Sequence, residues 1–250
     1  MPPRRLDTIL FDLGDTLIYF DDDWPAIFAL ARTELLNSLQ SAGFQLGQDF
    51  LDEFYTRMSD YYRQRDTEFI EYTTHYVLRN VLADWGHPNV PEDVLTQALA
   101  DMHSITQEHW IPEEDALPTL ERLRLRGYRM ALVSNAADDP NTQVLVDKLG
   151  GRPYFEVIMS SAAAGIRKPN PKIFSRVLSS LGSSAEQAVM VGDTLGADIL
   201  GAQNAGIFSI WITRRADTPA NRAHLDTIRP DASIKVLSEL PGLLEILAEK

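Results

Sequence analysis

The sequence predicts an α/β fold: a doubly wound parallel sheet carrying an inserted α-helical unit. The chain opens on a short apolar run, Thr8 to Phe11, that ends at Asp12. From Pro112 onward, short apolar runs alternate with amphipathic segments, the pattern of βαβ units with a parallel sheet and right-handed crossovers. Between the two, residues 24–110 carry helical periodicity and almost no strand signal.

Taken in order, Thr8–Phe11 reads as a buried strand delivering Asp12 to its carboxyl end, where open parallel sheets place their chemistry. Gly14 then allows a tight, left-handed turn. Asp21, Asp22, Asp23, Trp24 and Pro25 read as a helix entry, with acids at the N-terminus and proline in the first turn. A metal site is the weaker reading of the three aspartates. Ile27, Leu30, Ala31, Leu35 and Leu39 follow helical spacing, and Gly43 is the stop. Phe50, Phe54, Met58 and Tyr61 or Tyr62 mark a second helix, Phe69 to Trp85 a third, and Pro91 to Trp110 a fourth. Leu117, Leu120 and Leu123 form one face of a helix closed by Gly127. Strands at Tyr128–Val133, Phe155–Met159, Ala188–Val191 and Ile207–Ile212 then alternate with helices at Thr142–Leu149, Asn170–Leu181 and from Asp193 to about Ala205. Asp231–Ile234 reads as an edge strand, and Ser238 as the cap of a last helix ending near Ala248.

Composition narrows the function. A chain of 250 residues holds one large or two small domains, and 44% apolar with 24% charged residues is the balance of a soluble globular protein. No run of about 20 apolar residues exists, which predicts no membrane span. The absence of cysteine excludes disulfides, thiolate catalysis and sulfur-ligated metals. With no signal-peptide stretch ahead of the first strand, the expected location is cytoplasmic. The net charge is −13, and residues 20–111 hold 16 acidic against 5 basic residues, so a nucleic-acid partner is not expected. These acids read as solvated helix faces. The same segment holds 14 of the 22 aromatics, expected to pack the helices together with a few overhanging a substrate.

Strand ends present polar residues in order: Asp12, Ser134, Lys168 in a following loop, then Asp193 with Asp198. Each alone reads equally as turn chemistry, an exposed loop or a helix cap. Their joint order is the signal, and it resembles the haloacid dehalogenase-like (HAD) superfamily, most members of which are phosphohydrolases. Motif I corresponds to Asp12 through Leu17, motif II to Val133-Ser134-Asn135, motif III to Arg167-Lys168-Pro169-Asn170-Pro171, and motif IV to Gly192-Asp193-Thr194-Leu195-Gly196-Ala197-Asp198. The resemblance implies a Rossmann-like core of residues 1–19 and 112–250. Residues 20–111 would form a helical cap of four to five helices, with hinges near Ile18–Asp21 and Trp110–Glu114.

It further implies a Mg²⁺-dependent phosphohydrolase acting on a small phosphorylated metabolite through an aspartyl-phosphate intermediate. Asp12 would be the nucleophile. Asp12, Asp193 and the Gly14 carbonyl would ligate the metal, with Asp198 supporting it directly, through water or as an orienting group. Ser134 and the Asn135 backbone N–H would hold phosphate oxygens, Lys168 would balance charge, and Thr16 would hydrogen-bond Asp12 or the phosphate. The pattern departs at Gly14, where the family carries the aspartate that serves as general acid/base; an aspartate follows one residue late, at Asp15. Three outcomes stay open: Asp15 serves, water serves for good leaving groups, or the chain mainly binds a phosphorylated ligand. A 2-haloacid dehalogenase also lacks the second aspartate, but that branch works without Mg²⁺ and lacks the Gly-Asp-x-x-x-x-Asp pattern. A phosphate-binding or regulatory module is the non-enzyme reading. A response-regulator receiver would be about half this length and lacks the insert. His75, His87, His103 and His109 fall in the cap with no role assigned, and monomer or homodimer is left open.

Overall fold

The first strand is the axis of the molecule. In the computed structural model, which describes residues 6–248, strand β1 (Thr8–Phe11) is wholly buried and pairs in parallel with strands on both sides. Those neighbours are β4 (Arg129–Ser134) and β6 (Ala188–Gly192). With β5 (Val157–Ser160), β7 (Phe208–Ile212) and β8 (Ala232–Ile234) they form a six-stranded sheet of order β5-β4-β1-β6-β7-β8, every pair parallel. The order places the carboxyl ends of β4, β1 and β6 side by side. The alternation of a strand divides each between two cores. Ile9 and Phe11 face one layer with Leu120, Leu123 and Val146, and Leu10 faces the other with Ile173, Phe174 and Val177.

The first layer comes from α5 (Ala116–Leu125), α6 (Asp139–Leu149) and α11 (Leu240–Ala248), the second from α8 (Pro171–Leu181) and α9 (Leu200–Asn204). Ser238 lies in a short 3₁₀ turn, Leu237–Glu239, one turn ahead of α11, and does not cap it. Helix α6 starts earlier than its apolar pattern, because Asp138 accepts a hydrogen bond from the Asn141 N–H and caps it.

The segment after β1 forms four helices with an apolar cluster of their own: α1 (Trp24–Ser41), α2 (Gln48–Glu68), α3 (Thr74–Asp84) and α4 (Glu92–Gln107). Leu30, expected on the inner face of α1, is 59% exposed, since Ile27, Ala31, Leu35 and Leu39 already fill the buried stripe. Trp110 is not helical. It begins β3 (Trp110–Pro112), which pairs antiparallel with β2 (Ile18–Phe20) where the chain leaves and re-enters the sheet unit. Three-residue strands carry no readable periodicity. Among the described residues, no helix is long and apolar enough to cross a membrane.

Residues 69–73 are also not helical. Phe69 ends α2 in the left-handed region at φ 54°, and the chain then docks against the sheet unit. Ile70 bridges Ile166, the Glu71 N–H donates to Gly165 O at 3.2 Å, and the Arg167 N–H donates to Phe69 O at 3.1 Å. The buried Glu71 carboxylate meets Arg65 at 2.9 Å, Arg167 at 3.5 Å and the Ser161 hydroxyl at 2.7 Å. Removing one partner of a buried pair leaves charge uncompensated. Glu71→Ala is therefore expected to lower unfolding free energy by about 3 kcal/mol in urea titration, the low end of the usual range because both arginines retain some solvent contact.

Candidate active site

Asp12, Ser134 and Asp193 sit at the carboxyl ends of β1, β4 and β6, and the loop after β5 brings Lys168 beneath them. The Asp12 N–H continues the sheet by donating to Val191 O at 2.9 Å, which fixes where its carboxylate stands. Lys168 is 2% exposed. Its Nζ donates to Asp12 Oδ1 at 2.6 Å and to Val133 O at 2.7 Å. It also lies 2.6 Å from Asp198 Oδ1, an ion pair not aligned as a hydrogen bond. The Asn135 side chain grips the Lys168 backbone on both sides: Oδ1 accepts from its N–H and Nδ2 donates to its carbonyl, each at 2.9 Å. That side chain is thereby committed to holding the Lys168 loop.

Asp198 approaches so closely that a Cβ on Gly192 would lie 2.4 Å from its carboxyl carbon, so only glycine fits there. The Asp198 Oδ2 accepts from the Thr194 N–H at 2.9 Å. Asp193 is anchored through its carbonyl, which accepts from Trp211 Nε1 at 2.7 Å and Asn221 Nδ2 at 2.9 Å. Asp12, Asp193 and Asp198, all buried, can each offer an oxygen within 4.8 Å of the others.

Crowding shapes the electrostatics. Burial raises the Asp12 carboxyl to about 6 even though the Lys168 charge pulls it down. Burial, then the charges of Asp198, Asp12 and Asp15, push Asp193 well above the usual carboxylate range. Burial alone would depress the Lys168 ammonium, but Asp12 and Asp198 hold it above its ordinary value. Three buried carboxylates thus face one ammonium. An excess of negative charge on hard oxygen donors suits a hard divalent cation.

These groups floor a cavity of about 680 Å³ between the sheet edge and the four helices, with Gly14, Asp15, Ser134 and Asn135 also in its wall. Gly14 is not the left-handed residue of the turn. Asp15 is, at φ 56°, with its N–H donating to Ile18 O at 2.7 Å. The Asp15 carboxyl is raised by burial, opposed by Arg215, with Glu113 adding to the rise. Thr16, expected at Asp12 or the phosphate, is fully buried away from the cavity wall, and its hydroxyl has no hydrogen-bond partner. Among the described residues, Asp21, Asp22 and Asp23 form no metal group with other acids, and Asp22 pairs instead with His109 at 3.0 Å.

Trp110, expected only at a helix end and hinge, also borders the cavity. A Cβ on Gly14 would meet ring atoms of Trp110 at 3.5 and 3.7 Å, so the space beside Gly14 is faced by an indole. His103 also reaches the cavity, with Nε2 3.6 Å from Asp138 Oδ2. Nothing local marks either residue, because helical-segment side chains reach the site only through the packing of that segment.

A family model described as haloacid dehalogenase-like hydrolase matches residues 6–206. The chain is 29% identical to glyceraldehyde 3-phosphate phosphatase of Pyrococcus furiosus, covering 98% of this chain and 94% of that protein. It is 30% identical to ribulose-1,5-bisphosphate 5-phosphatase of Halopiger xanaduensis, covering 94% and 98%. Among solved structures, 2-haloacid dehalogenase from Pseudomonas syringae pv. tomato matches with a TM-score of 0.67 and 27% identity, over 96% of this chain and 99% of that one.

Proposed function

The chain belongs to the haloacid dehalogenase-like hydrolases, and from that membership we propose that it is a Mg²⁺-dependent phosphatase of a small phosphorylated metabolite. The observation that carries this reading is the buried group of Asp12, Asp193 and Asp198 around Lys168. The phosphatases among its relatives support it.

Asp12 is the nucleophile. One of its carboxylate oxygens attacks phosphorus, the phosphorus–oxygen bond to the leaving group breaks with its electron pair going to that oxygen, which takes a proton from water, and an aspartyl-phosphate forms. Water then attacks that phosphorus, loses a proton to solvent, and releases inorganic phosphate and the free carboxylate. Lys168 counters the charge that Asp12 and the phosphate bring together. The Ser134 hydroxyl and the Asn135 backbone N–H hold phosphate oxygens. Asp12, Asp193 and the Gly14 carbonyl, with Asp198 in support, would hold Mg²⁺, which would supply charge neutralisation and alignment of the phosphate. Residues 20–111 act as a cap over the core, of which residues 6–19 and 112–248 are described, pivoting at the β2–β3 ribbon.

The test is phosphate release from a panel of phosphorylated metabolites, glyceraldehyde 3-phosphate among them, with and without Mg²⁺. No release from any ester would end the reading. A dehalogenase reading is favoured by one solved relative and by the missing acid at Gly14. The acidic group at Asp193 and Asp198 weighs against it, and halide release from a 2-haloacid without added metal would establish it instead.

Asp15→Asn bears on the general acid. Asp15 is the left-handed residue of the turn, its N–H donating to Ile18 O at 2.7 Å, and the charges of Arg215 and Glu113 act in opposite directions on its carboxyl. Turnover of the best substrate is expected to stay within about 3-fold of the parent. A loss of about 100-fold or more, the usual worth of a general acid, would make Asp15 that acid.

A further inference from the structure

We infer that a subsite at Arg32 takes a second anionic group, carboxylate or phosphate, at the end of the substrate remote from the scissile ester. The inference rests on the phosphatase reading above and deepens it to a substrate class: phosphate monoesters that carry a second oxyanion.

The charge of the cavity wall leads there first. Residues 20–111 hold 16 acidic and 5 basic residues, the latter all arginine. Among the described residues, none of those acids borders the cavity, and Arg32 is the one arginine of this segment that does. The acids of the lining, Asp12, Asp15, Asp138, Asp193 and Asp198, all come from the sheet unit. A strongly acidic segment that turns an arginine and no acid toward the cavity favours an anion there.

The other basic groups of the wall already face acids of the protein. Lys168 lies between Asp12 and Asp198, Arg167 lies 3.5 Å from the buried Glu71, and His103 lies 3.6 Å from Asp138. Arg32 instead donates from Nη2 to Asp52 Oδ1 at 3.2 Å. The Asp52 side chain is 62% exposed, and the same oxygen accepts from Gln48 Nε2 at 2.9 Å. Water screens such a pair, so it neutralises little of the guanidinium charge. The guanidinium is also held in place. It lies over the Tyr55 ring at 4.1 Å, and the Tyr55 hydroxyl donates to Met102 Sδ at 3.5 Å. A planar fork steadied on one face is suited to an oxyanion.

Position along α1 sets this group apart from the chemistry. Trp24, Phe28 and Arg32 line the cavity from one face of that helix. Trp24 lies 6.4 Å from Trp110, whose ring comes within 3.5 Å of a Cβ placed on Gly14, so Trp24 marks the end of α1 nearer the acidic floor. Arg32 follows two turns later, about 12 Å further along the axis. A phosphate at the floor and an oxyanion at Arg32 are then the two ends of one ligand, and a cavity of about 680 Å³ is large enough for both.

The experiment is phosphate release by the full chain with Mg²⁺ from straight-chain alkyl monophosphates of graded length that end in a hydroxyl, a carboxylate or a second phosphate. The hydroxyl series keeps the ester and omits the second charge, and the other two series distinguish the sources of that charge. At the best length, an anionic tail is expected to raise kcat/KM over the hydroxyl tail by about 10-fold, the worth of one charge-assisted contact. Arg32→Gln is expected to erase that preference by raising KM for the anionic tails, with kcat little changed. Arg32→Lys keeps the charge without the fork and is expected to restore about 3-fold of the preference. Asp52→Asn removes a competing acid and is expected to lower KM for the anionic tails by about 2-fold, the opposite sign to Arg32→Gln. Loss of a merely structural pair would move both variants and all three series in the same direction. An anionic tail turned over no better than the hydroxyl tail, or an Arg32→Gln loss equal across the three series, would overturn the inference and leave the phosphatase reading intact. No release from any ester above the Asp12→Asn background would remove both.

Discussion

Asp12→Asn is expected to abolish phosphate release, lowering kcat by about 10⁴-fold or more, the scale on which loss of a catalytic nucleophile is felt. The amide matches the carboxylate in shape, and its oxygen can still accept the Lys168 hydrogen bond, so the fold should survive. Stability should in fact rise. The Asp12 carboxyl is raised from 3.8 to about 6, burial being the main cause, so its ionisation disfavours the folded chain. That penalty grows as pH rises from 3.8 through about 6 and is constant above. With divalent cations chelated, thermal melts at pH about 7.5 should therefore favour Asp12→Asn over the parent, and melts at pH about 4 should show a smaller difference. An inactive variant that is also more stable is the signature of charge held in place for catalysis. Retained turnover would remove Asp12 as the nucleophile.

Lys168→Met is expected to have the largest effect on stability. It removes the ammonium that meets Asp12 and Asp198 at 2.6 Å each and leaves the Val133 carbonyl without that donor. Loss of one partner from a buried ionic group costs about 3–5 kcal/mol, and loss of a charge-stabilising donor costs about 10²–10³-fold in kcat. Asp12 should then titrate above about 6, because the charge that lowers it is gone. Urea titrations with chelator and with Mg²⁺ separate the two roles: Mg²⁺ should return part of the lost stability by replacing the missing positive charge, but not the turnover. A chelated Lys168→Met as stable as the parent would contradict the counter-charge role.

How far the site could be read in advance depended on the range of the interactions that build it. Asp12 was legible because an apolar run with strand-like length precedes it, and the structure buries all four of those residues in the sheet centre. Lys168 and Asp193 were legible through their order along the chain, since parallel strands bring successive carboxyl ends to one edge. The sequence places the left-handed turn after Asp12 at Gly14, one residue early. Glycine tolerates the left-handed region most easily, yet it is Asp15 that adopts it, at φ 56°. Helical spacing among their neighbours assigns both Phe69 and Trp110 to helices. Contacts with distant segments, Ile166 and Arg167 in one case and Ile18 to Phe20 in the other, override that spacing.

Local pattern alone is enough for the layered α/β architecture, the helical insertion after the first strand, and the chain order of Asp12, Ser134, Lys168, Asp193 and Asp198. Periodicity and strand-end chemistry are local, so they survive in one dimension. Folding in three dimensions is what brings Asn135 onto Lys168, Glu71 between the helices and the sheet unit, and the Trp110 ring beside Gly14. Each of these joins residues far apart in the chain, and their meeting depends on how the helical segment packs over the sheet edge, which no local pattern encodes.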